Sequence, residues 1–133
     1  MMVISSRSAD LICTGVQDFS LHDTLSCGQC FRWEQTLPDT FTGVANGRVL
    51  TISQQGGTLV LKDCTAQEFD AFWRDYFDLS RDYAIIKETL GTDAALRRAI
   101  DFAPGLRVLR QPAWEALCSF IISQNNNVKR IKG

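Results

Sequence analysis

The hydrophobic periodicity of the sequence changes once, near Cys64, and this change indicates the fold class. Before Thr65, short apolar runs alternate with polar residues and are separated by turn sequences, of which Asn46-Gly47 is the clearest hairpin signal. After Thr65, apolar residues recur at helical spacing. The sequence does not alternate strands and helices as a parallel sheet would require. It therefore predicts an α+β fold, a twisted antiparallel sheet covered by helices on one face and followed by an incomplete all-helical segment.

The predicted elements follow from this pattern. Strands are predicted over 11–13, 30–35, 41–45, 48–53 and 58–62, whereas residues 1–8 are predicted to be loose. Thr65-Ala-Gln-Glu68 has the form of a helix capping box. Helices are then predicted over 69–77, over 83–90 with Gly91 at the C′ position, from Asp93 to before Pro104, and from Pro112. The first of these helices carries an aromatic stripe that is predicted to be core: Phe69, Phe72, Trp73, Tyr76 and Phe77. The expected domains are 1–103 and 104–133.

The C-terminal run combines an apolar helix with a polar, basic end. The helix places apolar residues at i, i+3, i+4, i+7 and i+8, which predicts burial: Trp114, Leu117, Cys118, Ile121 and Ile122. Three asparagines follow, and then three cations: Asn125, Asn126, Asn127, Lys129, Arg130 and Lys132. Asparagine is unfavourable inside a helix, and one residue is enough to cap the next helix. Both a polar helix–helix turn with a solvated basic end and a binding surface fit this composition.

The net charge of −1 conceals an asymmetry. Residues from Arg107 onward carry five basic side chains against Glu115, a balance of +4, so the remaining residues sum to −5. A basic end of this kind can bind a polyanion such as DNA, but the charge alone does not demand it.

The five cysteines indicate reduced and mostly buried thiols, because their number is odd and their spacing irregular. Cys27-Gly-Gln-Cys30 has redox or zinc spacing, but the sequence continues as a predicted strand and offers few further ligands, so core thiols are favoured. No metal or other cofactor is expected. No apolar run approaches the ~20 residues of a membrane span. We therefore expect an intracellular protein (cytoplasm, nucleoid or nucleus) without a membrane partner, and a monomer.

Two segments together resemble the 8-oxoguanine DNA glycosylase/AP lyase family. Gly28-Gln29-Cys30-Phe31-Arg32-Trp33 is similar to the family's Gly-Gln-x-Phe-Arg-Trp segment, and Asn125-Asn126-Asn127-Val-Lys-Arg130 resembles its Asn-Asn-Asn-x-x-Arg signature. Both motifs occur in the family's order and at about its spacing. The segments Phe41-x-Gly43-Val44 and Tyr76-Phe77-Asp78-Leu79 also fit the family's sequence. The similarity runs from Asp18 onward and implies the family's N-terminal domain plus the start of its helical domain.

The resemblance implies base-excision repair of 8-oxoguanine opposite cytosine in double-stranded DNA. It assigns damaged-base recognition to Gly28, contacts with the orphan cytosine to Asn125 and Arg130, and a place in the same DNA-facing turn to Asn126. Without the resemblance, Gly28 would be interpreted as a glycine at a strand entry or bulge. Lys129 and Lys132 are weaker candidates for phosphate contacts.

The family's catalytic lysine matches no position in this sequence, so no catalytic residue is assigned and we expect the 133 residues to have little or no activity alone. The alternative function is a non-catalytic DNA-binding or adaptor module. A small thiol-redox or metal domain at Cys27 and Cys30 is a third, weaker possibility.

Overall fold

The computed structural model describes residues 1–132, without the side chains of Val128 and Lys132. Six strands form one antiparallel sheet in the order β1-β2-β6-β5-β4-β3. The strands are β1 (Val3–Arg7), β2 (Asp10–Thr14), β3 (Trp33–Leu37), β4 (Thr40–Ala45), β5 (Arg48–Gln55) and β6 (Thr58–Leu61). The helices are α1 (Leu21–Ser26), α2 (Ala66–Glu68), α3 (Arg74–Tyr76), α4 (Tyr83–Leu90), α5 (Ala94–Phe102), α6 (Ala113–Ser123) and α7 (Val128–Lys132). A π-helical segment, Phe69–Trp73, joins α2 to α3. The predicted α+β class is confirmed.

The hairpin between β4 and β5 shows how local sequence sets the sheet. Asn46 and Gly47 both have positive φ, 49° and 69°, which suits the tight turn that joins two twisted antiparallel strands. Residues of β4 then alternate between half-buried and buried positions, so one face of the sheet meets the core. In β4, Gly43 leaves room for the Trp33 ring, since an added Cβ would lie 2.3 Å from it.

Aromatic side chains of residues 66–77 cover this face. The capping box is present, with Thr65 accepting from the Glu68 amide and Glu68 accepting from the Thr65 amide. Tyr76 accepts a hydrogen bond of 2.9 Å from Trp33 Nε1. The predicted core stripe is confirmed: Phe69, Trp73, Tyr76 and Phe77 are buried, and Phe72 is partly buried and packs against them.

The sequence prediction was wrong at the amino end. Residues predicted to be loose form β1, which pairs with β2 from Val3 opposite Thr14 to Arg7 opposite Asp10. The ladder of backbone hydrogen bonds orders this segment, in which only Val3 and Ile4 favour a strand by themselves. The strand predicted from Cys30 begins only at Trp33. Helix α1 was missed, because a six-residue element is too short to display a helical period.

Two helix ends also differ from the prediction. Gly91 is the C-cap of α4 in a right-handed conformation (φ −68°), so it does not occupy the left-handed C′ position. Pro112 lies at the N-cap of α6, one residue before the first turn. Backbone hydrogen bonds set both helix ends. The Gly91 amide donates to the Lys87 carbonyl at the end of α4, and the Ala116 amide donates to the Pro112 carbonyl at the start of α6.

The segment 105–110 is attached to the first part of the chain through buried Arg107, whose side chain is 4% exposed. Its guanidinium donates to four backbone carbonyls at 2.6–3.1 Å, those of Gln17, Asp18, Asp78 and Arg81. It also lies 4.2 Å from the centroid of the Tyr83 ring. Burial lowers the pKa of Arg107, and the carboxylates of Asp78 and Asp18 oppose this effect. Arg107 is therefore a structural cation. The division of domains at residue 104 stays a prediction.

Among residues 1–132, no helix has the length and hydropathy to cross a membrane.

Replacing Arg107 with Met should lower the free energy of unfolding by at least about 3 kcal/mol, because several carbonyls lose a charged donor at once. Arg98, exposed on α5, provides the matched control Arg98→Met, which should cost less than about 0.5 kcal/mol. Urea denaturation measures both. Equal stability of the two variants would contradict the structural role of Arg107.

Stability should also decrease at alkaline pH. Burial raises the pKa of Cys13 from 9.0 to about 11 and that of Cys64 to about 11 as well. The folded state therefore holds these protons after the unfolded state has lost them. The free energy of unfolding should fall, by at most about 1.4 kcal/mol per thiol per pH unit, as pH rises above about 9.

Denaturation of wild-type and of a Cys13→Ala, Cys64→Ala double variant between about pH 8 and 10 tests this prediction. The double variant should be less stable at pH 8 and should show a flatter pH profile. Parallel profiles would show that the two thiols do not contribute.

Candidate nucleic-acid interface

The loop between α1 and β3 carries the first site candidate, Gly28. The residue is exposed and has a φ of +88°, a conformation that glycine adopts without strain. An added Cβ would have no neighbour within 4 Å, so the space beside the glycine is open. Because β3 begins only at Trp33, Gly28 lies in a loop rather than at a strand entry.

This loop and helix α6 enclose a cavity of about 290 Å³. Gly28, Gln29 and Phe31 line it from one side, and Gln111 with one face of α6 lines it from the other: Ala116, Ser119, Phe120 and Ser123. Its volume lies at the lower end of the range of small-molecule sites. Two aromatic residues, Phe31 and Phe120, thus line a space open to solvent together with glycine, glutamine and serine residues.

Polar contacts from the first sequence motif hold α6 beside the loop. Arg32 and Glu115 form an ion pair of 2.9 Å, and Glu115 also accepts from the Asn46 amide at 2.8 Å. Gln111 Nε2 donates to the Gln29 carbonyl at 2.7 Å. The position of α6, and hence of the asparagines that follow it, depends on these contacts.

Asn126 and Asn127 build the turn between α6 and α7. Asn126 donates to the Ile122 carbonyl at 3.3 Å and accepts from the Asn127 amide at 2.9 Å. Asn127 caps α7 by accepting from the Arg130 amide at 3.0 Å. Their side chains therefore have local structural uses, and Asn126 stays a predicted DNA contact.

Asn125 and Arg130 differ from these two residues. Asn125 has a φ of +52°, a left-handed conformation that Asn tolerates better than most residues. Both residues are exposed, and within residues 1–132 neither side chain has a hydrogen-bonding or ionic partner. The carboxamide and the guanidinium are available to an external ligand.

The structure brings Gly28 and α6 together at one cavity, but Asn125 and Arg130 are not among the residues that line it. Lys129 is exposed on α7. Lys132, the other predicted phosphate contact, has a side chain outside the described part of the structure. The roles of all these residues stay predictions.

Reasoning from sequence assigned no role to Gln111 or Glu115 and quoted Gln29 only as part of a motif. Their partners lie far away in the chain, so local patterns carry no signal for these contacts. Gln29 and Arg32, in the same motif as Gly28, were the available hints.

Helix α6 was expected to be buried, but its apolar face is exposed. Trp114, Leu117, Phe120, Ile121 and Ile122 are 50–74% exposed. Within residues 1–132 no element covers this face. The helical pattern was correct, but a pattern cannot specify which other segment supplies the covering surface.

The expectation of core thiols holds for Cys30 and is wrong for Cys27. Cys30 is buried and accepts a hydrogen bond from Tyr76 at 3.9 Å. Cys27 is exposed, because the chain forms α1 here and Cys27 is its C-cap. Within the described residues, no three His, Cys, Asp or Glu side chains cluster as metal ligands would.

Comparison with known proteins decides the family. Residues 11–117 match the family described as 8-oxoguanine DNA glycosylase, N-terminal domain. The chain belongs to this family.

Individual relatives agree with this assignment. The N-glycosylase/DNA lyase of Saccharomyces cerevisiae is 30% identical over 130 residues, covering 86% of this chain and 34% of the relative. A structure of MBOgg1 with a low-affinity DNA ligand superposes with a TM-score of 0.96 at 43% identity, covering 99% of this chain and 46% of that one. The Clostridium acetobutylicum 8-oxoguanine glycosylase/lyase, bound to double-stranded DNA with cytosine opposite 8-oxoguanine, gives a TM-score of 0.91 at 39% identity, covering 99% and 45%.

The chain thus spans about a third of the yeast relative and less than half of the two structural relatives.

Thiol labelling should distinguish Cys27 from the three buried cysteines. Iodoacetamide should modify Cys27 first, because it is exposed, while Cys13, Cys30 and Cys64 should react only on unfolding. Mass spectrometry after a short exposure locates the label, and Cys27→Ser is the control that should remove it. Equal labelling of Cys27 and Cys30 would argue for an accessible pair and would support the redox alternative.

Proposed function

We propose that this chain provides damaged-base and orphan-cytosine recognition for a base-excision DNA glycosylase that removes 8-oxoguanine opposite cytosine. The AP lyase step belongs to the intact protein of the family. The observation that carries the proposal is the cavity shared by Gly28 and α6, the helix that the asparagine turn follows in the chain. Its ligand would be a nucleotide extruded from duplex DNA.

Damaged-base recognition can arise from one hydrogen bond. 8-Oxoguanine carries a donor, N7–H, where guanine carries a lone pair. A backbone carbonyl at Gly28 would accept from the lesion and would repel the normal base, a difference of about 1–3 kcal/mol. The open space beside Gly28 supports this role, because a base can approach the backbone without meeting a Cβ.

Recognition of the partner base would use Asn125 and Arg130. Cytosine presents an N4 amine donor beside the acceptors N3 and O2, so an Asn carboxamide can accept from the amine while an Arg fork donates to the acceptors. Both side chains are exposed, and no group within residues 1–132 competes for them. Asn126 would contact DNA from the same turn.

The phosphate backbone would be bound by Lys129, which is exposed, and by Lys132, because cations attract the charged phosphates. DNA as the substrate implies an intracellular location, in a nucleus or a nucleoid. The chain itself would act as a monomer, with a domain division at residue 104. We propose no catalytic residue within it.

Fluorescence anisotropy with three duplexes tests the proposal: 8-oxoguanine opposite cytosine, guanine opposite cytosine, and an abasic-site analogue opposite cytosine. Wild-type should prefer the lesion duplex to the undamaged one. Arg130→Ala and Asn125→Ala should each weaken binding to the abasic duplex by about 5- to 150-fold, since each removes a base contact worth about 1–3 kcal/mol. Arg98→Ala, which changes an exposed arginine of α5, is the control for charge.

Borohydride trapping on the lesion duplex should yield no covalent adduct with this chain, whereas an adduct would contradict the absence of a catalytic lysine. Salt-dependent binding with equal affinity for damaged and undamaged duplexes would instead support the non-catalytic DNA-binding module.

A further inference from the structure

We infer that Gln29 is a positioning residue for lesion recognition, because it fixes the orientation of the peptide that carries the Gly28 carbonyl. The inference rests on the proposed function of Gly28. Gly28 contributes the acceptor oxygen, and Gln29 contributes the nitrogen of the same planar peptide group. Fixing Gln29 therefore fixes the direction of the oxygen.

The carboxamide of Gln29 is fully engaged with distant backbone. Its Nε2 donates to the carbonyl of Thr24 and to that of Arg107, at 2.8 Å in each case. Its Oε1 accepts from the Leu109 amide at 2.9 Å. Both donor hydrogens and the acceptor oxygen have partners, so rotation of this side chain would break three hydrogen bonds at once.

The backbone of Gln29 is restrained as well. Its carbonyl accepts from Gln111 Nε2 at 2.7 Å, and the next residue, Cys30, is buried in the core. On the other side, Thr24 is a fully buried residue of α1. Gln29 thus joins the end of α1, the segment 107–109 and the start of the cavity wall.

This restraint matters because, within residues 1–132, the backbone of Gly28 itself makes no hydrogen bond. An exposed glycine with no neighbour beside its Cα can rotate its peptide at little steric cost. Hydrogen bonds weaken steeply once the donor angle falls below about 120°, so a rotating carbonyl would accept poorly from N7–H. Discrimination between the two bases then depends on the residue that holds the peptide still.

A purely structural role for Gln29 would predict a different result. If Gln29 only tied the segment 107–109 to α1, its loss would lower stability and would weaken binding to every duplex alike. If it positions the Gly28 carbonyl, its replacement should weaken binding to the 8-oxoguanine duplex more than binding to the other duplexes. The ratio of two affinities separates these roles, while stability alone does not.

The test compares wild-type with Gln29→Met, which keeps the side-chain length but loses all three hydrogen bonds. Gln67→Met, at an exposed position of α2, is the matched control. Affinities for the three duplexes are measured by anisotropy well below the thermal midpoint of each variant. Gln29→Met should lower the preference for 8-oxoguanine over guanine by about tenfold. Its effect on binding of the abasic duplex should be much smaller than its effect on the preference for the lesion, and Gln67→Met should behave as wild-type.

Gln29→Glu is the second variant. Its carboxylate would face two carbonyl oxygens at neutral pH and should abolish the preference, whereas protonation at low pH restores one donor and should recover part of it. Wild-type at the same low pH is the reference for this recovery.

The outcomes are distinguishable. If wild-type binds the lesion duplex no better than the undamaged one, the proposed function of Gly28 fails, and the inference fails with it. If wild-type prefers the lesion and both Gln29 variants retain that preference in full, the inference alone is overturned.

Discussion

The buried guanidinium of Arg107 is the interaction on which the rest of the site depends. It donates hydrogen bonds to four carbonyls in two separate loops and thereby fixes the segment 105–110 against the sheet. Its own carbonyl accepts from Gln29, so the same residue supports the cavity wall. A buried charge is stable only when such partners surround it. The cation therefore requires these loops to stay together, and α6 starts from a defined position.

From this anchor, two sets of contacts extend to the candidate interface. Gln29 and Gln111 connect the anchored segment to the Gly28 loop, and the ion pair of Arg32 with Glu115 holds α6 beside it. The Gly-Gln-x-Phe-Arg-Trp motif is thus chiefly a set of structural residues around one exposed glycine. Trp33, at its end, lies in the core and donates to Tyr76.

The three consecutive asparagines have different structural roles. Asn126 and Asn127 satisfy backbone groups at the end of α6 and the start of α7. Asn125, in a left-handed conformation, directs its carboxamide to no group of the described chain. The neighbouring face of α6 is apolar and exposed. Asn126 and Asn127 are hydrogen-bonded within the turn, whereas the Asn125 carboxamide is available, an arrangement that suits the binding of an external base.

Local sequence determined strands β2 to β6, the capping box, the aromatic core and α4 to α6, because periodicity and turn chemistry act over a few residues. The family and the candidate residues also followed from two short motifs. Tertiary structure alone decided that residues 3–7 form a strand, that Cys27 is exposed while Cys30 is buried, and that Gln29 contacts the segment 107–109. These features depend on hydrogen bonds and packing between segments distant in the chain, for which a local pattern carries no information.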